Sequence, residues 1–281
     1  MREVFLPATL NELWSVAADH PDAALLAGGT DLLVKMRSGK DGRPVLIGME
    51  RIEELRSIRE EADCIHIGAG VTHASLLAHP SIRENFPVLA TAVKTLGSPQ
   101  IRNMGTIGGN ICTASPAGDT LPPLYVLGAD VEILSSPHSG GGTRTVPVSS
   151  FITGPGQTVL KKSEVLAAVR IRKNGTFGVQ HFEKVGKRKG MAIAVASLAA
   201  LLDVSPDGTV RDARFAWGSV GPRIVTSPEV EDFMKGKTMS IEVLARAATL
   251  ARQAVSPIDD LRATAEYRRS VSGNLLLRLA G

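Results

Sequence analysis

The chain has 281 residues, 43% of them hydrophobic, enough for two or three packed subdomains and near the practical limit of a single core. Its 32 basic and 28 acidic residues leave a formal charge of +4, with local runs only at "KRK" (187–189) and "RR" (268–269), too weak a footprint for nucleic acid. Aromatic residues are only 4%, too few for stacking bases or sugars; no apolar run reaches the roughly 18–20 residues of a membrane span, and "MREVFLPATLNELW" lacks a signal peptide's apolar core, so the expected location is cytoplasmic.

In chain order, "PATLNELWSVAADH" places Leu10, Leu13, Trp14 and Ala17 at helical spacing behind a capping box of Thr9 and Glu12. "AALLAGGTDLLVKMRSG" reads as a short strand, a turn at Gly28 and Gly29, and a second apolar-periodic stretch. "PVLIGM" and "IHIGAG" are β-like runs closed by glycine. Pro87 opens a helix with Val88, Leu89, Ala92, Val93 and Leu96 on its buried face, and Gly97 stops it. Asp119 stands where an N-cap would precede "TLPPLYVLG", and "ADVEILS" alternates as a strand. "SSPHSGGGTRT" (135–145) is a flexible loop by composition, in which Gly141 should tolerate valine.

The character changes near residue 176. "AVASLAALLDV", the turn "SPDG" and "TVRDARFAWGSV" form a hairpin, followed by two helices, "SIEVLARAATLARQAV" and "ATAEYRRSVSGNLLLRLA". Strands followed by helices point to an α+β architecture rather than a doubly wound sheet.

Several motifs are set aside. "KGKTMS" lacks the glycine a P-loop needs, since Glu231 stands there, and it reads as an exposed loop. Asn174-Gly175-Thr176 matches a glycosylation sequon and reads as a turn. The six histidines form no ligand set, and His73 and His79 read as helix surface. Cys64 and Cys112 stand far apart without a C-x-x-C partner, so no iron–sulfur or zinc site is expected in this chain, and no metal ligands are assigned.

Two loops carry the chemistry: "LLAGGTDLLVKM" (25–36) and "TIGGNICTASPAGD" (106–119). Each surrounds a Gly-Gly pair with small hydroxyl, amide and carboxylate side chains. Such a pair can be an ordinary turn. It can also present consecutive N–H groups as a nest for a pyrophosphate, helped by the hydroxyls of Thr30, Thr106 and Thr113.

With "GSPQIRNMGTIGGNICTASPAGDTLPPLYVLGA" and "FEKVGKRKGMAIAVAS" following "AGGTDLLVKMRSG" in this order, the chain resembles the FAD-binding (medium) subunit of the molybdenum hydroxylases, the xanthine dehydrogenase and carbon monoxide dehydrogenase type. The resemblance implies a two-lobed FAD-binding domain of the vanillyl-alcohol oxidase type over residues 1–174, with lobes about 1–55 and 56–174. A C-terminal domain of antiparallel sheet and helices would occupy 175–281. It further implies that Ala27, Gly28, Gly29, Thr30 and Asp31 form one pyrophosphate loop and Thr106, Ile107, Gly108, Gly109 and Asn110 the other. Thr113 and Asp119 would contact phosphate and ribose or adenine-side hydroxyls. Leu166 would lie near the flavin ring and Lys184 near its polar edge, where a cation tunes the potential. Ile193 falls where many relatives place an aromatic residue, so the ring would have an apolar, more open cover.

The implied activity is that of an oxidoreductase subunit without its own acid–base machinery; no catalytic residue is assigned. A large partner would carry the molybdenum cofactor and a small partner the 2Fe–2S clusters. The FAD held here would pass electrons to NAD+ or another acceptor, in a dimer of heterotrimers. No additional 4Fe–4S centre is expected, because the cysteine-bearing insertion of the benzoyl-CoA-type reductases is absent. The rival readings are a free-standing flavin oxidase or reductase of the same superfamily, and a flavin-binding assembly or storage module.

Overall fold

A computed structural model describes residues 2–280 apart from 174, 176 and 189. The sequon ends and the last lysine of the "KRK" run therefore lie outside the described residues. The chain begins with a three-stranded parallel sheet of β1 (Glu3–Phe5), β2 (Ala24–Leu26) and β3 (Val45–Gly48) in the order β1-β3-β2. Helix α1 (Leu10–Asp19) makes the first crossover. The Thr9 hydroxyl accepts from Glu12 N at 3.2 Å, while the Glu12 carboxylate accepts from Ala8 N at 2.8 Å, one residue earlier than in the standard box. Leu13 and Trp14 bury their side chains with Ile47, Ile52 and Leu55. Helix α2 (Leu32–Arg37) follows the first glycine loop directly.

A second sheet is antiparallel, with β4 (Ile58–Glu60), β5 (Cys64–Gly68), β6 (Asp130–Ser135), β7 (Thr143–Pro147) and, after the hairpin β8 (Ile152–Gly154) and β9 (Gln157–Thr158), β10 (Glu164–Arg172). Its order β4-β5-β10-β6-β7 puts the last strand in the centre. Between β5 and β6 run the helices α3 (His73–Ala78), α4 (Pro80–Asn85), α5 (Pro87–Thr95), α6 (Pro99–Met104), α7 (Ile107–Thr113) and α8 (Leu121–Val126), with α9 (Val148–Phe151) before β8. Helix α5 buries Val88, Leu89, Ala92 and Val93, and Gly97 beyond it takes φ +50°.

Two local expectations are corrected. Asp119 does not cap α8: the N-cap is Thr120, without a side-chain bond, because the Asp119 carboxylate is turned toward β11 (Val179–Val185). The Ser/Gly-rich loop is a turn closing the β6–β7 hairpin, with φ of +96°, +62° and +107° at Gly140, Gly141 and Gly142. Valine at Gly141 would therefore be strained, not tolerated.

The third sheet, β11, β12 (Ala196–Val204), β13 (Val210–Gly218) and β14 (Val225–Thr226), is antiparallel in sequential order. It is covered on both faces. Ala199, Leu201 and Ala216 join the core beneath α5 and α8, while Leu198, Leu202, Phe215 and Trp217 pack with α10 (Pro228–Met234), α11 (Ile241–Ala254) and α12 (Ala265–Leu277). Double coverage explains the unbroken apolar run of β12, which does not alternate as a half-solvated strand would. The whole is an α+β fold. No helix among the described residues is long and apolar enough to cross a membrane.

Candidate cofactor cleft

A cleft of about 1230 Å³ opens between the loops of the first sheet, the α6–α7 connection and β10. Every expected site residue lines it except Ile107 and Lys184. Ile107 is fully buried in the core and can offer only main chain.

The first loop connects β2 to α2. Gly29 turns it at φ +69°, a region that suits glycine. The backbone N–H groups of residues 27–31 donate to no acceptor among the described residues. A run of unpaired donors in a cleft wall is what an anionic ligand needs. Gly28 serves a different end, since a Cβ there would lie 1.8 Å from Met104 O. The absence of a side chain lets this loop press against the α6–α7 connection.

The second loop uses its amides on the protein itself. Ile107 N donates to Val71 O (3.0 Å), Gly108 N to Ala69 O (2.9 Å), Asn110 N to Thr106 O (3.0 Å) and Gly109 N to Thr106 Oγ1 (3.0 Å). Its free chemistry is in side chains. Thr120 donates to Asn110 Oδ1 at 2.6 Å, fixing the carboxamide while its NH2 bonds nothing among the described residues. Thr113 donates to Asp31 Oδ2 at 3.2 Å and ties the two loops together; Lys35 neutralises that carboxylate at 2.6 Å. The two Gly-Gly pairs look alike in sequence, but only the first is a nest of free donors.

Deeper in, Lys184 of β11 donates to Asp119 Oδ2 at 2.6 Å and to Thr95 O at 2.8 Å. Both side chains of the ion pair are only 8% exposed. Lys184 is therefore neither a solvated surface lysine nor part of the cleft wall; it reaches the cleft through Asp119. Burial pushes the Asp119 carboxyl up to about 6, against the opposing pull of the Lys184 charge. Its second oxygen, Oδ1, is buried without a protein partner, an acceptor suited to a ligand hydroxyl. Leu166 enters from β10, where a β-bulge between Leu166 and Ala168 shifts the register. Met191 and Ile193 form an exposed apolar rim, Met191 in the left-handed region at φ 53°.

His73 was not expected here. It is 2% exposed and lines the cleft, its N–H bonded to Gly105 O at 2.9 Å, and its Nδ1 is buried without a partner. Burial, reinforced by the Arg102 charge, lowers its pKa to about 4 and keeps the ring neutral. The sequence signal was Thr72, which caps α3 by accepting from Ser75 N at 3.1 Å and so puts His73 in the first turn, facing the second glycine loop. Cys112 also lines the cleft, its thiol pushed up to about 12 by burial.

The site suits FAD on its own geometry: free amides for a pyrophosphate, an unpaired carboxylate oxygen for a hydroxyl, and an apolar rim for a ring system. Comparisons agree. The sequence family described as "FAD binding domain in molybdopterin dehydrogenase" matches residues 1–173, and the "CO dehydrogenase flavoprotein C-terminal domain" matches 181–281. The carbon monoxide dehydrogenase medium chain of Hydrogenophaga pseudoflava is 34% identical, over 92% of this chain and 88% of that one. The xanthine dehydrogenase FAD-binding subunit of Escherichia coli O157:H7 is 31% identical over 93% and 88%. Quinoline 2-oxidoreductase from Pseudomonas putida 86 superposes with a TM-score of 0.93 at 29% identity, covering 99% of this chain and 95% of that one. The chain thus belongs to the FAD-binding subunits of the molybdopterin dehydrogenases, an oxidoreductase family.

Proposed function

We propose that this chain is the electron-exit subunit of a cytoplasmic molybdenum hydroxylase. Electrons would arrive from 2Fe–2S clusters on a small partner, after substrate oxidation at a molybdenum cofactor on a large one, and leave to NAD+. The complete assembly would be a dimer of heterotrimers. When bound, FAD supplies the redox chemistry that joins single-electron carriers to a two-electron acceptor.

The observation that carries this reading is the run of unpaired amides at 27–31 in a cleft large enough for a dinucleotide. In the proposed arrangement Ala27, Gly28, Gly29, Thr30 and Asp31 hold the pyrophosphate. Thr106, Asn110 and Thr113 add side-chain contacts, while Gly108 and Gly109 shape the wall and Ile107 packs behind it as the loop's anchor. Asp119 accepts a ribose hydroxyl with Lys184 holding it in place, and Leu166 and Ile193 cover the ring. The proposed division at 174/175, the lobes near 1–55 and 56–174, and kinship with the vanillyl-alcohol oxidase fold belong to the same reading.

Titrating the flavin-free chain with FAD tests it. One equivalent should bind, and acid precipitation should release all the flavin into the supernatant. Flavin left in the pellet would contradict noncovalent binding, and failure to bind any would contradict the site.

A further inference from the structure

The hairpin of β4 and β5 brings together three side chains of different metal-binding chemistry. Glu61 N donates to Cys64 O at 2.9 Å in the tight turn, and Cys64 and His66, two residues apart on β5, share one face of the sheet. The Cys64 thiol donates to Glu61 Oε2 at 3.2 Å, and His66 Nε2 lies 3.3 Å from Glu61 Oε1. The carboxylate oxygen, Sγ and imidazole nitrogen all lie within 4.8 Å of one another. On the other side of the ring, His66 Nδ1 is 3.4 Å from Glu132 Oε1 on β6, beyond β10, and has no hydrogen bond of good geometry. Arg170 Nε on β10 donates to Cys64 Sγ at 3.5 Å, a pull toward the thiolate that burial outweighs, so without a cation the thiol lies above its ordinary value.

We infer that Glu61, Cys64 and His66 form a binding site for one zinc-class divalent cation, with Glu132 orienting His66. Thiolate, imidazole and carboxylate together are the ligand set of such ions. A tetrahedral ion with bonds of about 2.0–2.3 Å needs its ligand atoms about 3.2–3.7 Å apart. The two short contacts, to Cys64 Sγ and His66 Nε2, fall on different oxygens of Glu61, so a single carboxylate oxygen meets this spacing with one partner, and the remaining pairs, within 4.8 Å, must close by about 1 Å at most. A carboxylate on the far nitrogen of a ligating histidine is the usual device that fixes its tautomer. Cys64 is fully buried and His66 nearly so, while Glu61 is half-exposed, so an ion would enter from the Glu61 side, where solvent can supply the fourth ligand. On binding, the Cys64 S–H proton leaves to solvent and the thiolate–metal bond replaces it. The C-x-x-C test on the sequence could not reveal this set, because it contains a single cysteine.

Cobalt(II), which shows a thiolate charge-transfer band when bound by cysteine, is the probe. Added to the full, reduced chain it should bind with one equivalent and give that band. Zinc should displace it one for one. The band should persist in Cys112→Ser, which removes the other thiol, and vanish in Cys64→Ser. Glu132→Gln should weaken binding about 10–100-fold without removing the band. Absence of a stoichiometric thiolate band in the wild-type chain, or its loss in Cys112→Ser with retention in Cys64→Ser, would overturn the assignment.

Discussion

A methyl group on Gly28 would sit 1.8 Å from Met104 O and 2.9 Å from Gly105 Cα, so Gly28→Ala must push the first loop away from the α6–α7 connection. Overpacking of this kind costs about 1–3 kcal/mol, and here it also displaces the free amides. FAD affinity should fall by about 10-fold or more, measured by flavin titration, whereas Gly178→Ala, with open space around it, should leave affinity unchanged. His73 gives a pH signature. Its folded pKa, about 4, lies below the ordinary 6.5, so acid protonates the unfolded chain first. Its stability contribution is present above pH 6.5 and is lost as pH falls to about 4, up to about 3 kcal/mol. In the flavin-free protein His73→Leu should remove this loss, read as a smaller drop in denaturation midpoint between pH 7 and pH 4 than in wild type. Asp119, raised from 3.8 to about 6, works in the opposite sense, so only the variant-minus-wild-type difference is diagnostic. At this scale the glycine pairs and their hydroxyl neighbours were legible, because turn chemistry is local. The burial of His73 was not, since which side of a short helix faces a loop depends on chain that returns 32 residues later at Gly105.

Lys184 joins elements: through Asp119 and Thr95 O it ties β11 to the end of α5 and to the segment before α8. Lys184→Met would leave a buried carboxylate without its cation, a change that typically costs about 3–5 kcal/mol. The cost should be larger at pH 8 than at pH 5, because Asp119 without the opposing Lys184 pull takes up its proton above the wild-type value of about 6, and Lys184→Met combined with Asp119→Asn should recover much of it. Urea denaturation at the two pH values checks this; a loss that is equal at both, or not relieved in the double variant, would show that the pair is not a buried tether. Helices α1, α5, α11 and α12 and the β12–β13 hairpin could be read from periodicity, caps and the "SPDG" turn. The parallel order β1-β3-β2 and the central place of β10 could not, because strand pairing across many residues leaves no local pattern. The bulge that shifts β10 beside Leu166 has the same origin.

Over the whole molecule, the third sheet is buried on both faces, and its inner face completes the core behind the cleft, so the C-terminal region supports the site. The cleft wall contains loops of the first sheet, the α6–α7 region, β10 and the 191–193 rim, and anything bound there holds these parts together. FAD should therefore raise the thermal midpoint of the isolated chain in proportion to the logarithm of its concentration, and Gly28→Ala should blunt that rise. The central claim is that this chain serves only as the exit for electrons. It is tested most directly by reconstituting the full complex with Gly28→Val, confirming that it is assembled and cluster-replete, and comparing two turnover assays. Substrate oxidation coupled to a dye that takes electrons from the iron–sulfur clusters should continue at the wild-type rate, while NAD+ reduction should disappear. Loss of the dye-linked turnover in that complex would contradict the account and place substrate oxidation at the flavin of this chain.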